Sequence, residues 1–260
     1  MGGTQEIRSG RNGHGGLGNV LSGIAVAIGF ALFLGGFVWA AILYQPYTVP
    51  TDSMMPTVRP GDRVLAQRIG GDEVRRGDVV IFTDSMWSDS PMVKRVVGIG
   101  GDTVKSSGAG SVLTVNGVPL DEPYIDARGP VSDLPTPAGE PPAPGTPFEV
   151  TVPEGNLFLL GDQRSGSLDS RAHLEEAGQG TVSRSAVSAR VDALAWPSMR
   201  MLERPGTYAA LPGGTSQPGP LRLQVVMVVA GAALVVLGAA YGPLARVLGR
   251  GRRRERAGAR

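Results

Sequence analysis

The chain has 260 residues, of which 42% are hydrophobic and only 18% are charged, whereas soluble domains carry about 25% charged residues. This composition indicates that part of the chain lies in lipid. The absence of cysteine and the presence of only two histidines exclude disulfides, thiol catalysis and Cys- or His-rich metal sites, and a formal net charge of +2 is too small to indicate binding to nucleic acid.

Two uncharged stretches are long enough to cross a membrane. The first, 20–43, has 24 residues, and as a helix it would be about 36 Å long against a hydrocarbon core of about 30 Å. The second, 223–245, has 23 residues and is flanked by arginine on both sides. A cleaved signal peptide is the alternative for the first stretch, and a buried core helix for the second. Length and lack of charge favour transmembrane helices for both.

The distribution of charge predicts how these spans are oriented. The tail 246–260 holds seven arginines and one glutamate, whereas the segment 44–222 holds 16 basic and 21 acidic residues. Positively charged flanks stay in the cytoplasm. We therefore expect a multi-pass protein of the cell membrane with both tails, 1–19 and 246–260, inside and the domain 44–222 outside. The arginine-rich tail would then lie against anionic lipid headgroups.

The segment between the spans predicts a mainly β fold. Short apolar runs broken by Gly, Pro and Asp are typical of strands, and no helical periodicity of convincing length occurs. Asn116-Gly117 predicts a type I′ hairpin turn, four Gly-Asp pairs mark turns next to strands, and the seven prolines of 128–147 predict an irregular surface loop. The strand candidates are Val64–Ala66, Asp78–Phe82, Lys94–Ile99, Val112–Val115, Phe148–Val152 and Asn156–Leu160.

A candidate nucleophile follows the first span. The segment 50–57 reads Pro-Thr-Asp-Ser-Met-Met-Pro-Thr, and Ser53 lies ten positions after Leu43, so it must lie close to the membrane surface. The two prolines restrict the chain on either side of Ser53, and the two methionines place apolar side chains where a polar loop would be expected. A serine in an ordinary turn is the alternative interpretation of this segment.

A candidate base lies in the apolar run 92–97. Among 25 basic residues only Lys94 and Lys105 are lysine. Arginine stays protonated at any working pH, whereas a desolvated lysine can lose its proton. Lys94 could therefore act as general base towards a serine hydroxyl. A surface lysine on an edge strand is the alternative.

A third polar motif, 161–171, follows an apolar strand. It reads Gly-Asp-Gln-Arg-Ser-Gly-Ser-Leu-Asp-Ser-Arg. Asp169 and Arg171 could pair and fix the loop, and a hydroxyl such as that of Ser167 could orient an amine. A polar surface loop without chemistry is the alternative for this motif taken alone.

Together and in this order, the three motifs resemble those of bacterial type I signal peptidases, the membrane-bound Ser/Lys endopeptidases that remove signal peptides from exported proteins. The matching elements are the first span, S-M-x-P-T followed by G-D, K-R-V-x-G-x-x-G-D, the N-G hairpin before Glu-Pro-Tyr at 122–124, and G-D-x-R-x-x-S-x-D-S-R. The resemblance covers about residues 20–200. The second span is similar to that of variants found in some high-GC Gram-positive bacteria.

The resemblance implies both a fold and a catalytic pair. The fold would be mainly β: an extracytoplasmic catalytic domain of antiparallel sheets with an inserted, more variable β-region, flanked by two transmembrane helices. Ser53 would be the nucleophile and Lys94 the general base. The Ser53 backbone N–H and the Thr51 hydroxyl would form the oxyanion hole. Neither a metal ion nor a cofactor is expected.

Further residues are assigned to the site by the same resemblance. Ser167 would hydrogen-bond the Lys94 amine. Asp169, Arg171 and Arg95 would form a supporting ion-pair network. The −1 and −3 side chains of the substrate would enter pockets lined by Val49, Pro50, Met54 and Val93. Apart from the resemblance, apolar residues near the motifs predict a patch that dips into the membrane interface, made of Met54, Met55, Met86, Trp87 and Trp196.

The implied substrates are secretory preproteins with Ala-x-Ala-type signal peptides. Three positions depart from the pattern of the family: Thr51 stands where many members have Ser, Asp52 where Gly is common, and Gln163 in place of the usual Asn. A carboxylate at position 52 would oppose a lowering of the lysine pKa unless it points to solvent. None of these departures removes a catalytic group.

Two other functions compete with this interpretation. One is a serine protease that uses His173 with Asp169 and an unidentified serine, although no serine motif accompanies that pair. The other is a membrane protein without enzymatic activity whose β domain only binds a partner. A binding module would need none of Ser53, Lys94 and Ser167, so their joint presence favours the peptidase.

Overall fold

The structure is a computed structural model that describes residues 14–108, 112–125 and 146–258. The predictions for the N-terminal tail, for the loop 128–147 and for the arginine side chains of 246–260 lie wholly or largely outside the described residues. The chain forms two compact units, one of Met1–Ile42 with Pro220–Arg260 and the other of Leu43–Gly219.

The first unit contains two long apolar helices, α1 (His14–Leu43) and α2 (Leu221–Gly258). Each includes a stretch that is long and apolar enough to cross a membrane, Val20–Leu43 and Leu221–Tyr241. Only 11% and 17% of their most apolar windows are buried, which disfavours the alternative of a soluble core helix for the second stretch. The two helices fit a membrane-anchored protein.

Small residues bring α1 and α2 close together. A Cβ added at Gly231 of α2 would lie 2.6 Å from the carbonyl oxygen of Gly29 of α1. The Ser22 hydroxyl donates a hydrogen bond to the Gly238 carbonyl oxygen at 2.6 Å. Such close backbone approach through glycine and serine is typical of packed transmembrane helices.

The second unit is built on two antiparallel β-sheets. The larger has the strand order β1-β2-β11-β3-β4-β9-β10, with β12 paired to β11, and the smaller has the order β7-β6-β5-β8. The smaller sheet comes from the chain between β4 and β9, which confirms the predicted mainly β fold with an inserted β-region. The strands are β1 (Tyr44–Thr48), β2 (Arg63–Arg68), β3 (Val79–Asp84), β4 (Ser88–Ile99), β5 (Thr103–Ser106), β6 (Thr114–Val115), β7 (Val118–Pro119), β8 (Phe148–Thr151), β9 (Asn156–Leu160), β10 (Thr181–Ser183), β11 (Val187–Trp196) and β12 (Arg200–Met201).

In the described part of this unit, three short 3₁₀-helices connect strands, and a fourth follows the last strand, β12. Each of the six predicted apolar runs overlaps a strand. The 3₁₀-helices are Gly71–Glu73, Ser170–His173, Arg184–Ala186 and Gly206–Ala210.

The turns follow the predicted glycine positions. Gly61, Gly77 and Gly101 have φ values of +86°, +83° and +87°, a region that side chains disfavour. In each case the carboxylate of the following Asp accepts the N–H of the residue three positions earlier, at 2.8–2.9 Å. Asn116 and Gly117 have φ values of 55° and 77°, which confirms the tight hairpin between β6 and β7.

The predicted apolar patch is not formed. Met54 is fully buried. Met86 lies in the turn beyond Phe82, which pairs with Val187 at the start of β11, whereas Trp196 lies at the other end of β11. Nine residues of strand separate these two ends by on the order of 30 Å, so the exposed Met86 and Trp196 do not share one surface.

Candidate active site

Ser53 lies in a turn between β1 and β2. The turn is closed by backbone hydrogen bonds from Met55 to Asp52 at 2.8 Å and from Val58 to Met54 at 2.9 Å. Ser53 is 8% exposed, and its Oγ lies 3.3 Å from the hydroxyl oxygen of Thr51. Within the described ranges the Ser53 backbone N–H has no hydrogen-bond acceptor, so it can donate to a ligand.

Lys94 lies on β4, opposite Val80 of the neighbouring strand. Lys94 is only 5% exposed. This burial lowers the pKa of its amine from 10.5 to about 8, and the nearby Asp169 opposes the lowering. The exposed Asp52 also acts against it, in the direction expected from sequence, but as a minor contribution to the pKa. The predicted motif therefore holds an amine that can lose its proton near neutral pH.

The loop that follows β9 packs against the turn of Ser53. A Cβ added at Gly161 would lie 2.5 Å from the Ser53 carbonyl oxygen and closer still to Ser167. The backbone N–H of Gln163 donates to the same carbonyl oxygen at 3.1 Å. Gly161 therefore lies against both Ser53 and Ser167, although 108 or more positions separate Ser53 from the loop in sequence.

Ser167 is fully buried, and its hydroxyl has no hydrogen-bond partner among the residues that the structure describes. The expected hydrogen bond to the Lys94 amine is therefore not formed in this structure. A buried hydroxyl without a partner costs free energy. The Ser167 hydroxyl can therefore still accept or donate one further hydrogen bond.

Two buried ion pairs hold the site, instead of the single network expected from the resemblance. Asp169 accepts bidentately from Arg171, with both N···O distances at 2.9 Å. Arg95 pairs instead with Asp162, at 2.8 and 2.6 Å. Because Arg95 follows Lys94 on one strand, their side chains point to opposite faces of the sheet, and Arg95 therefore meets a different carboxylate.

Asp169 is charged despite complete burial. Burial alone would raise the pKa of Asp169, but the Arg171 guanidinium and the hydrogen bond from the Gly161 N–H together hold it below its usual value. The Gly161 N–H lies 2.9 Å from the Asp169 carboxylate. A fixed negative charge consequently faces the Lys94 amine from this loop.

The four residues expected to line the substrate pockets differ in accessibility. Val49 and Met54 are 1% and 0% exposed and belong to one apolar cluster, against which the half-buried Val93 packs. Pro50 is exposed. Of the four residues, only Pro50 and Val93 therefore offer accessible surface, whereas Val49 and Met54 lie within the core cluster.

His173 does not approach Asp169 in the manner of a catalytic pair. Its Nδ1 lies 2.6 Å from the Glu176 carboxylate, and its ring stacks on Trp87 with centroids 4.4 Å apart. Both carboxylate oxygens of Asp169 are bound by Arg171. The competing His-Asp protease lacks the required geometry.

Sequence reasoning assigned no role to a pair that adjoins this site, Arg164 with Glu122. Its atoms meet at 2.8 and 2.6 Å. The available signal was the Glu-Pro-Tyr segment at 122–124, which matched the family pattern without an assigned function. A cavity of about 840 Å³ adjoins this segment, but its lining includes neither Ser53 nor Lys94.

The signal peptidase family, peptidase S26, matches residues 19–196. The chain belongs to this family. Signal peptidase I of Mycobacterium tuberculosis (strain ATCC 25618 / H37Rv) is 30% identical over 209 residues, which cover 63% of this chain and 69% of that protein. Signal peptidase IB of Staphylococcus aureus (strain N315) is 32% identical over 163 residues, which cover 57% of this chain and 78% of the relative.

A solved structure of signal peptidase I from Enterococcus faecalis V583 has 28% sequence identity and a TM-score of 0.33, with coverage of 45% of this chain and 94% of that one. Membership in the signal peptidase family confirms the resemblance found in the motifs. This signal peptidase is a serine protease that cleaves signal peptides from preproteins. Helix α2 lies beyond the matched residues.

Proposed function

We propose that Ser53 and Lys94 are the nucleophile and the general base with which this signal peptidase cleaves its preproteins. The observation that carries the proposal is the buried Lys94 amine, whose pKa is lowered to about 8. At this pKa a substantial fraction of the amine is neutral near physiological pH. Arginine could not provide this, because its guanidinium keeps its proton.

The proposed reaction begins with proton transfer. The neutral Lys94 amine accepts the Ser53 hydroxyl proton as Oγ attacks the carbonyl carbon of the scissile bond. Collapse of the tetrahedral intermediate breaks the C–N bond, and Lys94 returns the proton to the leaving amine of the mature protein. Lys94 then takes a proton from a water molecule that attacks the acyl-enzyme. The ester bond breaks, Lys94 gives this proton to Ser53 Oγ, and the signal peptide leaves with its new carboxyl terminus.

The proposed oxyanion hole consists of the Ser53 backbone N–H and the Thr51 hydroxyl. Both donors lie on the turn of the nucleophile, with the Thr51 hydroxyl oxygen 3.3 Å from Ser53 Oγ. Donors fixed before the reaction stabilise a developing negative charge without reorganisation. The unpartnered Ser167 hydroxyl is proposed to bond the Lys94 amine once substrate is bound, and the Asp169–Arg171 and Arg95–Asp162 pairs are proposed to support this geometry.

The proposed substrates carry small residues at −1 and −3, as in Ala-x-Ala. The surfaces next to Ser53 that support this are apolar: exposed Pro50, half-buried Val93, and the cluster of Val49 and Met54 behind them. The nearby Arg95 and Arg171 are each bound by a carboxylate, so neither offers a free charge to a substrate side chain.

The domain is proposed to lie on the outer face of the cell membrane, with both termini in the cytoplasm. The arginine-rich tail 246–260 supports this orientation, and anionic lipid would be its partner. We divide the chain accordingly into a tail 1–19, a span 20–43, a peptidase domain 44–222, a span 223–245 and a tail 246–260.

The purified full chain in detergent is expected to cleave a secretory precursor with an Ala-x-Ala site at that site. Ser53→Ala removes the nucleophile, so cleavage should fall to background. Ser198→Ala, a substitution at an exposed serine, is the matched control and should keep wild-type activity. Product formation is followed by gel electrophoresis and mass spectrometry, and full activity of Ser53→Ala would refute the proposed nucleophile.

The same assay measures the substrate class. A precursor with Leu at −1 is expected to lose at least about 100-fold in kcat/KM, because the extra side-chain volume must displace packed groups near Ser53. Equal cleavage after Ala and Leu would contradict the assigned pocket.

The proposed orientation predicts which face of the membrane exposes the domain. Protease added to spheroplasts should digest residues 44–222, and the same domain should be protected in inverted membrane vesicles. Immunoblots against the domain and against a C-terminal tag measure both. Protection in spheroplasts together with digestion in inverted vesicles would reverse the proposed topology.

A further inference from the structure

The segment 122–124 holds the loop 161–171 through a partly buried ion pair. Arg164 donates to both Glu122 oxygens, from Nη1 at 2.8 Å and from Nη2 at 2.6 Å. The two side chains are only 17% and 6% exposed. A bidentate pair in this setting fixes direction as well as distance, so Glu122 determines where the Arg164 guanidinium lies.

The third nitrogen of Arg164 connects this pair to the catalytic loop. Its Nε donates to the Gly161 carbonyl oxygen at 3.0 Å. The Gly161 N–H is held in turn by Asp169 at 2.9 Å. Both polar groups of Gly161 are thus bound by ion pairs, the N–H by Asp169 with Arg171 and the carbonyl by Arg164 with Glu122.

Gly161 is the point at which the loop meets the nucleophile. A Cβ there would come within 2.5 Å of the Ser53 carbonyl oxygen and nearer to Ser167. A shift of Gly161 must therefore change the separation between the turn of Ser53 and the hydroxyl of Ser167. Lys94 is buried on β4, and its neighbour Arg95 pairs with Leu160, the last residue of β9, directly before this loop.

Tyr124 gives the same segment a second connection to the site. Its hydroxyl donates to Glu122 at 2.6 Å, and the Arg95 guanidinium lies 4.2 Å from the centroid of its ring, within the range of a cation–π contact. Arg95 in turn binds Asp162, the residue next to Gly161. The segment 122–124 is therefore linked to the loop at two positions that follow Gly161, directly at Arg164 and through Arg95 at Asp162.

We propose that Glu122 is a positioning residue for catalysis: through Arg164 it fixes Gly161, and so keeps the Ser53 turn and Ser167 at working distance and water away from Lys94. This inference rests on the proposed roles of Ser53 and Lys94. Glu122 does not touch the reacting atoms, and its effect is carried by Arg164.

Glu122→Gln is nearly isosteric but leaves Arg164 without its countercharge, and the amide NH₂ would face one of the guanidinium nitrogens. We expect kcat to fall about 10- to 100-fold, as for a small misplacement of catalytic groups, with KM changed less than about twofold. Looser packing would admit water to Lys94. Since burial is what lowers its pKa, the pKa of Lys94 would rise and the acid limb of the kcat/KM profile would move to higher pH.

Glu149→Gln is the matched control, because it makes the same substitution in an ion pair that is exposed, with Lys105 at 2.8 Å. It should leave kcat, KM and the pH profile at wild-type values. Arg164→Lys is the second variant: it keeps a positive charge near Glu122 but cannot bind both Glu122 and Gly161, so it should also lower kcat and shift the acid limb upwards.

The measurements are kcat, KM and the pH profile on one precursor, together with Tm, for the full chain in detergent. Wild-type kcat in Glu122→Gln would overturn the inference. A fall in activity without any shift of the acid limb of the pH profile, in the variants that fold, would also overturn it. Failure of both variants to fold would also overturn it, since the pair would then serve stability. Activity of wild type and its absence in Ser53→Ala establish the proposed function separately from these outcomes.

Discussion

A Lys94→Arg enzyme is expected to lose all measurable processing of precursors, although the substitution conserves charge. Burial lowers the pKa of Lys94 to about 8, which gives a neutral amine in useful amounts, whereas a guanidinium keeps its proton at any accessible pH. Loss of a general base typically costs on the order of 10²- to 10⁴-fold in rate. Here a permanent cation would also occupy the position from which the proton of Ser53 must be removed.

The pH profile of the wild-type enzyme should show the direction in which protonation of Lys94 changes kcat/KM. Only the neutral amine can accept a proton, so kcat/KM should be low below the pKa of Lys94, rise as pH increases through about 8, and level off above it. Lys94→Arg should be inactive across the whole range. The measurement is cleavage of one precursor by both enzymes from mildly acidic to strongly alkaline pH.

Lys105→Arg is the matched control. Lys105 is half-exposed and pairs with Glu149 at 2.8 Å, an interaction that arginine can also make, and exposed pairs contribute little to stability. This variant should process precursor at the wild-type rate. A Lys94→Arg enzyme that keeps more than about a tenth of wild-type activity would show that the base lies elsewhere.

The features that could be predicted from sequence are those that depend on neighbours along the chain. Apolar runs and turn glycines located six strand segments and the hairpin at 116–117, and the three motifs located Ser53, Lys94 and Ser167. Strand β11, which lies between β2 and β3, was missed because Arg190 and Asp192 interrupt its apolar pattern. Both side chains are nevertheless buried, and they pair with each other at 3.2 Å.

The features that could not be predicted depend on contacts between distant segments. Arg95 was expected beside Asp169, but the register of β4 with β9 places it opposite Leu160, two residues before its actual partner, Asp162. Nothing in the residues around position 95 encodes that register. The burial of Met54 within the core cluster likewise depends on strands that are far from it in sequence.

Gly161→Ala is expected to lower kcat by about 100-fold or more with little change in secondary structure. Gly161 does not have a left-handed φ, so alanine is compatible with its backbone conformation and the effect is steric. The new Cβ would lie 2.5 Å from the Ser53 carbonyl oxygen and closer to the Ser167 side chain, distances that packed atoms do not tolerate. Either the turn of Ser53 or the loop must move, and misplacement of catalytic groups by about 1 Å can cost on the order of 100-fold in rate.

Gly166→Ala, in the same loop, separates this contact from a general effect of the substitution. A Cβ at Gly166 would meet the Gln163 side chain at 3.4 Å or more, which is ordinary van der Waals contact, so this variant should keep activity close to wild type. The comparison measures kcat, KM and Tm of both variants on one precursor. The steric argument requires the loss to fall on kcat in Gly161→Ala alone. Equal activity of the two variants would mean that the loop accommodates the new Cβ without moving Ser53. The close packing of Gly161 would then not determine the catalytic geometry.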